Sequence, residues 1–174
     1  ADYAYFNHTT SWLAVVLKDA KKLGLTTKFG SNPYGFSEML PAVAKEAAEG
    51  VTGVVPHMPF GEDVPGMKEL VDYHQKNHPN DTHDALYVRG WASAQVWLEG
   101  LRRADKAGNL TGEGVKAALE TLKDFDLGGL TGAVTYTGTD HRPSTKTAVY
   151  MIKGGKLVKV ADYDMPRRAD WLGL

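Results

Sequence analysis

The stretch YAYFNHTTSWLAVVLKDAKKLGLTTKFGSNPYG, residues 3–35, decides the fold class. Tyr3-Ala4-Tyr5-Phe6 is short, apolar and aromatic, which suits a strand buried on both faces. From Ser11 to Leu23 the residues Trp12, Val16, Ala20 and Leu23 recur at helical spacing. Lys18, Asp19, Lys21 and Lys22 lie opposite, so the segment reads as an amphipathic helix. Thr10 or Ser11 is placed to cap it and Gly24 to end it. Thr27-Lys28-Phe29 then reads as a second strand and GSNPYG as a turn.

The unit repeats once more. Phe36 to Ala48 has a helical pattern with Met39, Val43 and Ala47 on one face, and VTGVVP at 51–56 is a third strand. Strand–helix–strand–helix–strand with short connections requires parallel strands joined by right-handed crossovers, hence an α/β fold. After Pro59 the pattern changes. A loop leads to a helix over 66–77 with Met67, Leu70, Val71 and His74 inward. A long helix follows from Leu86 to Ala107, with Tyr87, Trp91, Ala94, Leu98 and Leu101 as its inward stripe. A third, over 112–123, is capped by Thr111 and buries Val115, Leu119 and Leu122. Three helices without an intervening strand read as a layer of another lobe. GAVTYTG at 132–138 reads as a short strand, and TAVYMIKGGKLVKVADY at 147–163 as a hairpin turning at Gly154-Gly155.

Composition excludes several classes. The chain has 174 residues, 20 basic and 21 acidic side chains, and a net charge of −1, so no global field draws it to nucleic acid. The absence of cysteine removes disulfides, thiolate metal sites and a thiol nucleophile. No apolar run reaches the roughly 20 residues of a membrane-spanning helix. Neither G-x-G-x-x-G nor a P-loop follows the first strand, and no G-x-S-x-G elbow is present, so neither a dinucleotide or ATP site nor a serine hydrolase is read. His78, Asp81, His83 and Asp84 in NHPNDTHD carry metal-binding groups, but their spacing matches no defined ligand motif and they read as solvated loop residues. No metal, cofactor or catalytic residue is assigned.

In a parallel α/β sheet, ligands bind outside the carboxyl ends of the strands. Those ends are Asn7-His8-Thr9-Thr10, Ser31-Asn32-Pro33-Tyr34 and His57-Met58-Pro59-Phe60. Each mixes hydrogen-bonding groups with an apolar or aromatic neighbour, as a small-molecule pocket requires. Any one of Thr9, Thr10, Ser31 and Asn32 serves equally well as a cap or turn former, but three such sets on one edge favour a pocket.

Several longer strings, ADYAYFNHTTSWLAVVLKDAKKLGL, AVAKEAAEGVTGVV, DALYVRGWASAQVWLEGLRRA and LTGAVTYTGTDHRPSTKTAVYMIKGGKLVKV, resemble the carboxyl-terminal half of type I periplasmic binding proteins. Within that family they are most similar to the solute receptors of branched-chain amino-acid-type ABC transporters. The resemblance implies two α/β lobes closing on a small solute, which a membrane permease then receives in the periplasm or another extracytoplasmic space. It implies residues 1–60 in the second lobe, 61–130 as a helical return into the first, and 131–174 as hinge strands returning to the second. The amino-terminal portion is expected to be absent, and half a cleft is expected to bind with negligible affinity. The resemblance places Thr9 or Thr10 at a ligand-contacting loop, and Asn32 where relatives carry an acid that pairs with a ligand ammonium. A buried ammonium without that counter-charge costs several kcal/mol. The expected ligand is therefore an aromatic or aliphatic carboxylate, with branched-chain amino acids less favoured. His8, Thr9, Thr10, Asn32, Tyr34 and His57 would contact it, joined by Asp84 and Tyr87 from the returning helix. The runner-up reading is the ligand-sensing domain of a receptor or transcriptional regulator with the same fold.

Overall fold

The computed structural model describes residues 1–168 and 170; the expected segment 131–174 therefore runs partly outside the described residues. Its elements are β1 (Tyr3–Phe6), α1 (Thr10–Lys22), β2 (Lys28–Ser31), α2 (Met39–Ala44) with a 3₁₀ turn at Lys45–Ala48, and β3 (Thr52–Val55). There follow α3 (Pro65–Asn77), α4 (Ala85–Lys106), α5 (Gly112–Leu119), β4 (Lys146–Lys153) and β5 (Lys156–Asp164). The strands form one sheet in the order β1-β2-β3-β4-β5. β1, β2 and β3 are parallel, and β4 joins β3 antiparallel. Among the described residues no helix is long and apolar enough to cross a membrane.

The described chain divides into two compact units, 1–59 with 147–163, and 60–146 with 164–168 and 170. In the first, α1 and α2 lie against one sheet face, where Leu13, Leu17, Phe36, Leu40, Val55, Tyr150 and Ile152 form the core. Gly53 is required there: a Cβ at this position would sit 2.0 Å from Cγ of Phe36.

Three expectations about this unit are corrected. β1 is not buried on both faces; as an edge strand covered by helices on one side only, it leaves Tyr3 and Tyr5 52% and 58% exposed. Tyr3 reaches instead across Gly30, its hydroxyl 3.0 Å from Oγ1 of Thr52. α1 buries Leu13, Ala14, Leu17 and Ala20 rather than the stripe of Trp12, Val16, Ala20 and Leu23. Residues 12–17 are apolar all round, so periodicity leaves the helix phase open by one residue, about 100°. The second helix is shorter than 36–48 because Pro41 has no amide to donate and fits only a first turn, so the helix starts at Met39. Lys45 at φ +52° ends it, and Leu40, Ala44 and Ala48 are buried instead of Met39, Val43 and Ala47.

In the second unit, α4 packs on α5 through Ala104, Val115 and Ala118, with Leu101 and Leu119 alongside. The expected α4 stripe is again displaced: Ala85, Val88, Ala92, Gly100 and Ala104 are buried, while Ala94 and Leu98 are exposed. Small residues form this face because it meets another helix closely; a Cβ on Gly100 would lie 2.6 Å from Leu119 Cδ2. GAVTYTG forms no strand. Val134 makes a single antiparallel bridge to Phe125, while the amides of Thr135 and Tyr136 donate to loop carbonyls of Pro143 and Leu122.

An ion cluster closes this unit. Asp140, 13% exposed, accepts Nε and Nη2 of Arg142 at 3.0 and 2.9 Å and Nη1 of Arg167 at 2.8 Å. The Arg142 hydrogen bonds, then Arg167, hold the Asp140 carboxyl well below the usual carboxylate range.

Two measurements follow from these contacts. Gly53→Ala is expected to lower stability by about 1–3 kcal/mol through overpacking against Phe36; a lower urea midpoint at unchanged slope is the readout. Because the folded Asp140 value lies below its ordinary 3.8, its contribution is present above that value and lost as pH falls through the lower one. Asp140→Asn is thus expected to melt below the wild type near neutrality, with the gap closing below about pH 4 in a pH series of melting curves.

Candidate functional site

β1 and β2 end side by side, Phe6 opposite Ser31 in the parallel register, so the loops that follow them are neighbours. The two asparagines in these loops bind each other, Nδ2 of Asn32 donating to Oδ1 of Asn7. The Asn32 carbonyl oxygen accepts the amides of Tyr34 at 3.1 Å and Gly35 at 2.8 Å, which folds the second loop into a turn around its own side chain. Thr10 at the start of α1 donates its hydroxyl to the Tyr34 carbonyl at 3.1 Å and fastens the helix to that turn. His8 Nδ1 accepts the Thr9 amide at 2.9 Å, so the neutral ring carries its proton on Nε2. Thr10, Tyr34, Asn32 and Asn7 are thereby joined in one hydrogen-bonded chain, while His8 bonds its neighbour Thr9.

The cluster leaves donors open. Thr9 is the N-cap of α1, yet its side chain makes no capping bond. No described residue accepts from the amides of Thr10, Ser11 and Trp12, and the positive end of the helix dipole lies with them. Rings surround this point. The His8 ring centroid lies 5.7 Å from Trp12 and 6.2 Å from Phe6, and Trp12 is 59% exposed beside it. Ser31 is fully buried next to Gly35, and its hydroxyl has no hydrogen-bond partner among the described residues. An uncapped helix start flanked by aromatic rings can hold an anionic group on amides and an apolar body against the rings.

His57, just beyond β3, is only 4% exposed, so its ring offers little surface to a solute. A groove of about 460 Å³ in the same unit lies at the opposite, amino ends of the strands, between Lys28, Thr52 and the exposed Lys21–Glu46 pair.

Asp84 and Tyr87 belong to the second unit. Asp84 caps α4, accepting the amides of Leu86 at 2.9 Å and Tyr87 at 3.3 Å. Tyr87 stands in a ring cluster with Phe60 and His74, at centroid distances of 6.0 and 5.0 Å. Burial, then Tyr73 and Asp81, push its hydroxyl above the ordinary value, so it acts as a neutral donor. In the 77–84 loop, His78 Nδ1 lies 3.1 Å from Asp81 Oδ2, and among the described residues no group of three or more His, Cys, Asp or Glu converges on a metal position.

Sequence reasoning underrated Asn7 and Trp12. Asn7 has only its place at a strand end as a signal, and Trp12 reads both as part of the buried stripe of the helix and as the aromatic neighbour of the first polar loop. The structural role of Asn32 predicts that Asn32→Ala, which strands two loop amides and Asn7, lowers stability by about 1–2 kcal/mol without any ligand. Urea unfolding of the two proteins checks this, and equal midpoints would mean the loop is held by other contacts.

A family model described as periplasmic binding protein matches residues 1–156. No curated protein matches the sequence significantly. The fold is similar to that of a branched-chain amino acid ABC transporter protein from Thermus thermophilus with bound valine, at TM-score 0.87 and 24% identity over 96% of this chain and 47% of that one. It is also similar to a fatty acid ABC transporter substrate-binding protein from Thermomonospora curvata, at TM-score 0.81 and 24% identity over 92% of this chain and 42% of that one. A solute-binding protein from R. palustris in complex with benzoate matches at TM-score 0.69 and 19% identity, over 94% and 45% of the two chains. The chain thus spans about half the length of these solved structures.

Proposed function

The chain belongs to the periplasmic binding protein family, and from that premise we propose that it serves an ABC transporter as an extracytoplasmic solute receptor. The solute is a small carboxylate, held without chemical change and passed to a membrane permease. One observation carries this reading: the amino end of α1 presents three amides without partners among the described residues, beside the His8 and Trp12 rings. A carboxylate accepts those N–H groups and is favoured by the helix dipole, while an aryl or alkyl body covers the rings.

The same loops argue about the rest of the solute. Residues 30–35 contain no acid, and the Asn32 oxygen is already committed to two loop amides. A ligand ammonium would find no counter-charge there, and burying it unpaired is costly. An aromatic or aliphatic acid therefore suits this loop better than a free amino acid. His8 Nε2–H and the exposed Tyr34 supply further contacts, and Asp84 and Tyr87 are retained as candidate contacts from the second unit. Solved relatives with bound valine and with benzoate mark the two ligand classes to be compared.

Thermal unfolding of the full-length protein against benzoate-type acids, short fatty acids, leucine and valine tests the proposal. A true ligand at 100 times its Kd adds about 2.7 kcal/mol of stability. The expected outcome is a raised midpoint with one or more simple acids and none with the amino acids. A rise with leucine or valine alone would reassign the solute to amino acids, and no rise with any carboxylate would overturn the carboxylate reading.

A further inference from the structure

We propose that β5 is a self-association edge, through which two copies of this chain pair antiparallel about a twofold axis at Val160. β5 is the last strand of the sheet, and among the described residues its outer row of backbone N–H and C=O groups faces no other strand. Among the described residues, no backbone hydrogen bond from this strand reaches anything beyond the sheet. An edge of nine residues without proline or glycine, left largely exposed by the described residues, is a template for another strand. Its apolar side chains lie open as well, Val158 at 43% and Val160 at 56% exposure.

The charge order along the strand selects the partner. Lys156 and Lys159 occupy the first half of KLVKVADYD, and Asp162 and Asp164 the second. Parallel pairing of two copies in register would set lysine on lysine and aspartate on aspartate, which is unfavourable across a strand pair. Antiparallel pairing reverses one copy and brings opposite signs together. Facing side chains in an antiparallel pair share one side of the sheet, so a twofold axis must pass through a residue.

With the axis at Val160, Lys156 faces Asp164 of the second copy, Leu157 faces Tyr163, Val158 faces Asp162, and Lys159 faces Ala161. Val160 meets its own counterpart, and all nine residues are used. Moving the axis to Lys159 sets two ammonium groups face to face. Moving it to Ala161 leaves Lys156 beyond the end of the partner strand. Lysines on an edge ordinarily repel a second strand; here Lys156 meets an aspartate in only one of these registers that uses the whole strand. Within its own strand Lys159 pairs with Asp162 at 3.0 Å, an exposed contact that association can rearrange.

The native chain has no cysteine, so a single introduced thiol reports the register. Under mild oxidation Val160→Cys is expected to form a disulfide-linked dimer. Val158→Cys, on the same strand face but two residues from the axis, is expected to cross-link many-fold more slowly. In sedimentation, the wild type is expected to show a concentration-dependent dimer. Val160→Lys, which places like charges at the axis, and Lys156→Glu, which faces Asp164, are both expected to be monomeric and to melt where the wild type does at concentrations too low for it to pair. Equal cross-linking at positions 158 and 160, or a wild type that stays monomeric at high micromolar concentration, would overturn the proposal.

Discussion

Two parallel pairings, Tyr3–Phe6 on Lys28–Ser31 and Gly30–Ser31 on Thr52–Gly53, oblige the chain to cross back over the sheet twice. Each crossing carries a helix, and both helices share one core with the sheet, built around Leu13, Leu17, Phe36 and Leu40. The same pairing brings the carboxyl ends of the strands to one edge, with the amino end of α1 beside them. Loop polarity, helix dipole and ring clustering at that edge are consequences of strand direction, because reversing one strand would carry its loop to the far side of the unit.

At the edge, most polar side chains are committed to each other. Asn7, Asn32, Thr10 and Tyr34 form a chain of contacts that fixes two loops and a helix start, and His8 holds the Thr9 amide. Stiffness of this kind is what a binding edge needs, since a preorganised site loses less freedom when a solute arrives. The groups left over are the backbone amides of the first turn of α1 and the outer faces of the rings. Under the proposed function, recognition at this edge would rest on main-chain donors and aromatic surface more than on charged side chains.

The second unit solves a different problem. Its helices are joined by short loops and followed by a long irregular stretch over 120–145, and polar anchors fix these segments: Asp84 caps α4, Thr111 caps α5, and Asp140 collects two arginines. Charge-assisted bonds from planar guanidinium groups supply direction where no ladder of backbone bonds exists. Val134 illustrates the same point, since a β-prone string without a neighbouring strand is left with a single bridge.

The sequence by itself determined strand direction, the βα repeat, the hairpin at Gly154-Gly155 and the edge where the polar loops gather. Each of these is written in local patterns: short apolar runs, helical spacing, turn residues and short connections. Tertiary structure alone decided which side of each helix turned inward. α1, α2 and α4 all bury a face displaced from the one that helical spacing suggested: α1 is apolar all round its first turns and buries Leu13 and Leu17 while Trp12 stays outside, and α4 buries Gly100 and Ala104, whose small size allows close packing, while Leu98 stays outside. It also decided that Asn32 would be consumed by its own loop and by Asn7, a residue 25 positions away. Such choices depend on volume and on partners distant in sequence, and a one-dimensional pattern carries neither.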